Sequence, residues 1–287
     1  MNTFRNHLVL LRLPFSLLLM PVFLFAVSQT KHPDFMQTLL LFLVIHVLVY
    51  PSSNAYNSYI DQDESSIGGV ENPPKATKEL YYITLLLDFL ALGICAFISI
   101  NLSLLILGYI LVSRAYSSKT IRLKKHAITS YLVVMVFQGA YVFLLTQYGI
   151  GDFKPITNGF AWQACTFIIG GIYPITQIYQ HQADAQNGDY TISMKVGIKG
   201  TFKLSLIMFL IAGLLLFLHF YYTENLLHFF LFLLFLSPVA AYFSWWMKTT
   251  IKAPEFANYK FTMLMSIISA VCMNLYFGLL IYLNLLQ

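Results

Sequence analysis

The chain has 287 residues, 58% of them hydrophobic and only 10% charged. Soluble domains carry about a quarter charged residues, so these numbers exclude a water-surrounded globule, which would need far more polar surface. The net charge of +5 comes without a basic patch interleaved with stacking aromatics, so it gives no nucleic-acid footprint and no nucleic-acid partner is expected.

Apolar runs of bilayer length, roughly 20 residues each, recur from end to end. They predict about nine spans, at 13–30, 36–53, 80–99, 102–117, 128–148, 157–180, 203–222, 226–247 and 261–284. The fold class is therefore all-α, a polytopic membrane helix bundle forming one integral domain over residues 1–287. The third and fourth runs are separated only by Asn101 and Ser103, which leaves that boundary soft. The first run lacks a small-residue cleavage pattern and is expected to remain as a span. Pro14, Pro21, Pro174 and Pro238 lie inside runs, where bundle neighbours re-satisfy the freed backbone groups. Cys95, Cys165 and Cys272 sit in spans without CxxC spacing and read as packing residues.

With nine spans, Lys31 and Lys154 fall on one side and every other Lys and Arg on the opposite side. The positive-inside rule then places the N-terminus and the basic loops in the cytoplasm, with the chain in the inner membrane. The cytoplasmic loops carry nearly all the polar chemistry.

The first such loop, "NAYNSYIDQDESSIGGVENPP", follows the second span. On a helix, Asn54, Asn57 and Asp61 project from one face at i, i+3 and i+7. Asp63 and Glu64 come where that helix frays, and Gly68–Gly69 and Pro73–Pro74 mark a mobile loop. Asp88 lies about two turns into the third span, where an unpaired charge is costly. It reads as a helix-to-helix hydrogen bond ahead of a role in orienting an acceptor. His46 likewise reads as a satisfied bundle histidine.

"SRAYSSKTIRLKKH" closes the fourth span with Arg114, Lys119, Arg122, Lys124 and Lys125. Alone it is a topology signal or a lipid-headgroup contact; beside acidic loops it suits phosphate oxygens, with Arg as a fork and Lys as point charge. After the sixth span, "QIYQHQADAQNGDYT" repeats the acidic pattern. Gln177, His181 and Asp184 share a helical face at i, i+4 and i+7, whereas Asp189 falls off it unless Gly188 bends the chain back. Carboxylates and amides gathered at the mouth of an apolar bundle form the oxygen-rich site that Mg²⁺ takes, with water and substrate phosphates completing it. The bland alternative is that these acids only solubilise loops.

"NAYNSYIDQDE", "YSSKTIRLKK" and "DAQNGDYTISMKVGIKG", in this order on about nine spans, resemble the UbiA superfamily of intramembrane prenyltransferases. Asn57 and Asp61 match the Asn and central Asp of that family's first acidic motif, with Ser58 and Ser65 standing where it has further carboxylates. Asp184 and Asp189 match the second motif with one extra residue between them. Tyr116, Arg122 and Lys124 match the intervening tyrosine and basic positions, and Arg12 sits where a first-helix arginine is common.

The resemblance implies a central cavity in which Asp61, Asp184 and Asp189 act in catalysis and, with Asn57, bind Mg²⁺. It further implies that Arg12, Tyr116, Lys119, Arg122 and Lys124 bind diphosphate, while Asn54, Asp63, Glu64, Gln177 and His181 support them. The expected partners are a polyprenyl diphosphate, a small prenyl acceptor such as an aromatic quinone precursor, and membrane lipid. Two alternatives stay open: a secondary transporter, which needs interrupted spans with polar groups near the midplane, and a non-catalytic relative that binds prenyl diphosphate or lipid.

Overall fold

The structure is a computed structural model that describes residues 2–151 and 158–286. Lys154 and the first residue of the predicted sixth span lie outside the described residues. Nine long helical segments follow one another: α1 (Thr3–Ser28), α2 (Phe35–Asp61), α3 (Lys78–Ile98), α4 (Ile100–Ser117) and α5 (Ala127–Gly149). They continue with α6 (Gly159–Thr176), α7 (Ile192–Tyr222), α8 (Leu226–Lys252) and α9 (Tyr259–Leu285).

Eight of these, all but α6, are long and apolar enough to cross a membrane. The expectation of about nine spans thus holds in order and position, with α6 the least apolar. That helix packs extensively on α7 and α5, so it needs fewer lipid-facing side chains. The soft third boundary resolves at Ser99, a single extended residue between α3 and α4 at φ −162°. The Ser103 hydroxyl then donates to Leu92 O at 3.0 Å across the reversal.

The chain is an integral multi-pass membrane protein, and its side chains are sorted accordingly. Phe89, Phe97, Leu210, Leu234 and Leu275 are exposed along the helices, where lipid is as apolar as they are. Inside, Phe25, Phe143, Phe220 and Phe277 fill a core between α1, α5, α7 and α9. Cys95 and Cys165 are buried and all three cysteines are free. His46 is buried, with its Nδ1 bonded to Ser16 O at 3.1 Å and its Nε2 without a partner.

One polar staple crosses the apolar interior. Asp88 of α3 accepts from the Ser52 hydroxyl of α2 at 2.6 Å and pairs with Arg114 of α4. Arg114 also donates to the Thr84 hydroxyl at 3.1 Å and lies over the Tyr56 ring at 4.1 Å. Asp88 is thus a helix-to-helix contact, and Arg114 is not a loop cation but its partner from a neighbouring helix. Removing one member of a buried pair leaves the other uncompensated. Asp88→Ala should therefore lower the unfolding stability of detergent-solubilised protein by about 3 kcal/mol; unchanged thermal unfolding would contradict the staple.

Candidate active site

α2 runs beyond its apolar stretch to Asp61, where Gln62 ends it in the left-handed conformation at φ 52°. Asn54, Asn57 and Asp61 consequently stay on one helical face and line a cavity of about 210 Å³. Asp63, just past the helix end, lines the same cavity, whereas Glu64 is exposed and outside it. The loop that follows is not the freely moving segment its Gly and Pro residues suggested. Ile67 is buried against Leu10, Ala55 and Leu80. At Gly68, a Cβ would stand 2.5 Å from the Phe15 ring, so the glycines serve close approach.

Arg12 reaches the cavity by a similar local break. It interrupts α1 in the left-handed region at φ 51°, and its guanidinium donates to Asn54 O at 2.8 Å. Non-glycine residues in that region cost about 1–2 kcal/mol, and three of them, Arg12, Gln62 and Arg122, surround one site.

The loop after α4 supplies the cations. Arg122, at φ 45°, opens a short turn over Leu123–Lys125 that buries Lys124. Arg122 forks onto Asp189, Nε to Oδ1 at 2.8 Å and Nη2 to Oδ2 at 3.0 Å, and approaches Asp61 Oδ1 at 3.5 Å. Lys124 Nζ pairs with Asp61 and lies 3.0 Å from Asp189 Oδ2. Lys119 is exposed and takes no part in this network.

Between α6 and α7 the structure departs from a single helical face. α6 stops at Thr176, the chain turns through Gln177–Gln180, and a short helix spans His181–Gln186. Gln177 and Asp184 line the cavity, but His181 Nε2 is bonded to the Ser193 hydroxyl at 2.7 Å and does not. Burial pushes the His181 imidazole below its ordinary value. Gly188, at φ 73°, closes the short helix: its N–H bonds Ala185 O at 3.1 Å, and Asp189 N–H bonds Asp184 O at 2.8 Å. This pair of bonds is a Schellman ending, which suits glycine, and it returns Asp189 to the cavity beside Asp184.

The site therefore sets Asp61, Asp63, Asp184 and Asp189 against Arg12, Arg122 and Lys124. Burial, reinforced by the neighbouring acids, raises Asp184 to about 7 despite Lys124. Burial and the Asp61 charge raise Asp63 to about 6. Asp61 Oδ1 is buried without a hydrogen-bond partner. Asn57 Nδ2 donates to Asp61 at 2.8 Å and to the Ser117 hydroxyl at 2.9 Å, so its carbonyl oxygen is not used by these bonds.

No group of three His, Cys, Asp or Glu side chains stands at metal-holding distance among the described residues; the carboxylates lean on cations instead. An all-oxygen set, with one buried oxygen that accepts no hydrogen bond and more carboxylates than cations, nevertheless fits a hard divalent cation arriving with its own oxygen-rich ligand. Tyr116 lines the cavity with its hydroxyl paired to that of Tyr173.

A sequence model described as the UbiA prenyltransferase family matches residues 17–268. The chain belongs to the UbiA prenyltransferase family. Among solved structures, it is similar to a UbiA homologue from Archaeoglobus fulgidus bound to GPP and Mg²⁺, with a TM-score of 0.70 at 19% identity. That match covers 96% of this chain and 99% of the homologue. The same homologue bound to DMAPP and Mg²⁺ gives the same TM-score, identity and coverage. A digeranylgeranylglyceryl phosphate synthase structure matches with a TM-score of 0.63 at 17% identity, covering all of both chains. No curated protein matches the chain in sequence.

Within this UbiA fold, sequence reasoning missed Tyr173, Tyr109, Gln138 and Gln180, all of which line the cavity. Gln138 carried a signal, a lone amide in an apolar run; the tyrosines carried none that separates them from packing residues. The Schellman ending makes a direct prediction. Gly188→Ala should cost about 1 kcal/mol of unfolding stability, while Gly278→Ala, helical and with open space around its Cβ, should not; equal thermal unfolding of the two variants would contradict the assigned backbone role.

Proposed function

We propose that residues 1–287 form one integral prenyltransferase domain. It transfers an isoprenyl group from a polyprenyl diphosphate to a small acceptor, of aromatic quinone-precursor type, at the cytoplasmic mouth of an inner-membrane bundle. The observation that supports this most is the meeting of three polar loops, two acidic and one basic, at one cavity of an otherwise apolar protein. The relatives bound to GPP or DMAPP with Mg²⁺ add support for the substrate class.

In this reading Asp61, Asp184 and Asp189, with the Asn57 carbonyl, would hold Mg²⁺, which when bound would supply positive charge to the diphosphate leaving group. Arg122 and Lys124 turn from the carboxylates to phosphate oxygens, and Arg12 adds charge from α1. Tyr109, Phe137 and Tyr173 line the cavity, where aromatic rings can stabilise an allylic cation and keep water away. The C1–O bond breaks with its electron pair leaving on diphosphate; the acceptor gives an electron pair to C1 and loses a proton. A second, apolar cavity between α1, α6 and α9 shares Thr176 with the first and suits the hydrocarbon tail. A binding-only relative is the second reading, favoured by Ser58 and Ser65 standing where the family motif has carboxylates.

Diphosphate release by purified protein supplied with geranyl diphosphate, Mg²⁺ and candidate phenolic acceptors tests both readings. Asp61→Asn and Asp184→Asn should each cut turnover by more than 100-fold, and Glu64→Gln should leave it unchanged. Wild-type turnover in either Asp variant would overturn the assignment, and binding without release in the unsubstituted protein would favour the second reading.

Separately, Arg122→Ala and Lys124→Ala should each weaken geranyl diphosphate binding by about tenfold, consistent with losing one charge-assisted contact. Unchanged affinity in both would confine these cations to holding the loops together.

A further inference from the structure

Charge is spread unevenly around the bundle. At the end that carries the site, α7 begins, α8 ends and α9 begins. Residues 190–204 and 244–262 hold Lys195, Lys199, Lys203, Lys248, Lys252 and Lys260, with Glu255 as the only acid. This surplus equals the whole net charge of +5, and the rest of the chain has as many acids as Lys and Arg. The positive-inside rule asks for basic residues on one side of the membrane. It does not ask that the surplus gather on three helices.

All six lysines are exposed, and none of them forms an ion pair among the described residues. Arg114, Arg122 and Lys124, by contrast, are committed to acids inside the bundle. Packing brings the lysine-bearing segments together. The Phe202 ring of α7 lies 5.0 Å from that of Trp246 on α8, and Trp246 Nε1 donates to Phe256 O at 2.8 Å, in the turn before α9. Lys199 and Lys203 flank Phe202 in sequence, about one helical turn apart. Lys248 and Lys252 follow Trp245 at i+3 and i+7, on one face of α8. Trp245 is 47% exposed, and its ring lies 5.9 Å from that of Phe261, the neighbour of Lys260 in sequence. Val196 and Ile251 are exposed among the same lysines.

Unpaired lysines around an exposed indole and exposed aliphatic side chains call for a partner that is both anionic and apolar. We propose that this corner binds the headgroups of anionic phospholipids in the surrounding leaflet. Tryptophan sits at the headgroup level of a bilayer, and lysine stems cover apolar surface while their heads reach phosphate. A flexible point charge suits mobile headgroups, where a guanidinium fork favours one fixed geometry. An acidic soluble protein fits less well, because Trp245 belongs to the apolar stretch of a membrane-length helix. The surface is separate from the cavity, which none of the six lysines lines.

Electron paramagnetic resonance of spin-labelled phosphatidylglycerol and phosphatidylcholine, with the full-length protein in phosphatidylcholine vesicles, reads the relative affinity of each lipid for the protein. Phosphatidylglycerol should associate at least about threefold more strongly, a local attraction by several lysines averaged over all surrounding lipid. At about 1 M NaCl, where charges are screened within about 3 Å, the preference should disappear. Combined Lys248→Gln, Lys252→Gln and Lys260→Gln should remove most of it, and Lys252→Gln alone, mild enough to spare folding, should lower it by about a third. Combined Arg5→Gln, Lys75→Gln and Lys78→Gln, the same charge taken from the balanced part of the chain, should leave it unchanged. The amount of phosphatidylcholine held at the protein surface reports an intact bundle in each variant. No preference in the unsubstituted protein, a preference that survives high salt or the lysine substitutions, or an equal loss in the control would overturn the assignment.

Discussion

Four ionised side chains at the bundle mouth hold this site in place. Asp61 ends α2, Asp189 precedes α7, and Arg122 and Lys124 sit between α4 and α5. All four are at most 14% exposed, so their pairing acts with little screening, and loss of one partner would strand the others at considerable cost. Three segments far apart in sequence are thereby tied at one point. The left-handed residues Arg12, Gln62 and Arg122 fit the same account: strained backbone is retained where surrounding contacts over-determine it. The network also contains the groups that a diphosphate and a divalent cation would each need, already matched to one another in charge.

Beneath the mouth, polarity falls in steps. Ion pairs give way to amides and hydroxyls at Asn57, Ser113 and Ser117, then to Tyr109 and Gln138, while the apolar cavity opens separately past Thr176 at the end of α6. A substrate with a charged head and a hydrocarbon tail would meet its complement at each level. The Asp88–Arg114 staple stands beside this path and contributes rigidity: it clamps α2, α3 and α4 together, and two of these helices carry lining residues.

The apolar runs made the bundle legible because bilayer length and helical rise leave few alternatives. Asp189 was legible too, since a glycine at 188 in positive φ was the one way to bring it back to Asp184. Pairings between spans were not. Arg114 looked like any basic residue at a span end, and only tertiary structure gives it Asp88 as a partner. The face shared by Gln177, His181 and Asp184 assumed an unbroken helix, but the turn after Thr176 sends His181 to Ser193. The Gly68–Gly69 pair looked like flexibility and proved to be clearance for Phe15, because a glycine does not announce which of its two uses applies.

The central claim is that the two acidic loops act on one metal–diphosphate unit. Electron paramagnetic resonance with Mn²⁺ in place of Mg²⁺, on protein saturated with geranyl diphosphate, tests it most directly. The account predicts a ³¹P hyperfine coupling from directly ligated phosphate, abolished by either Asp61→Asn or Asp184→Asn. Bound Mn²⁺ without phosphorus coupling, or coupling that survives in both variants, would contradict it.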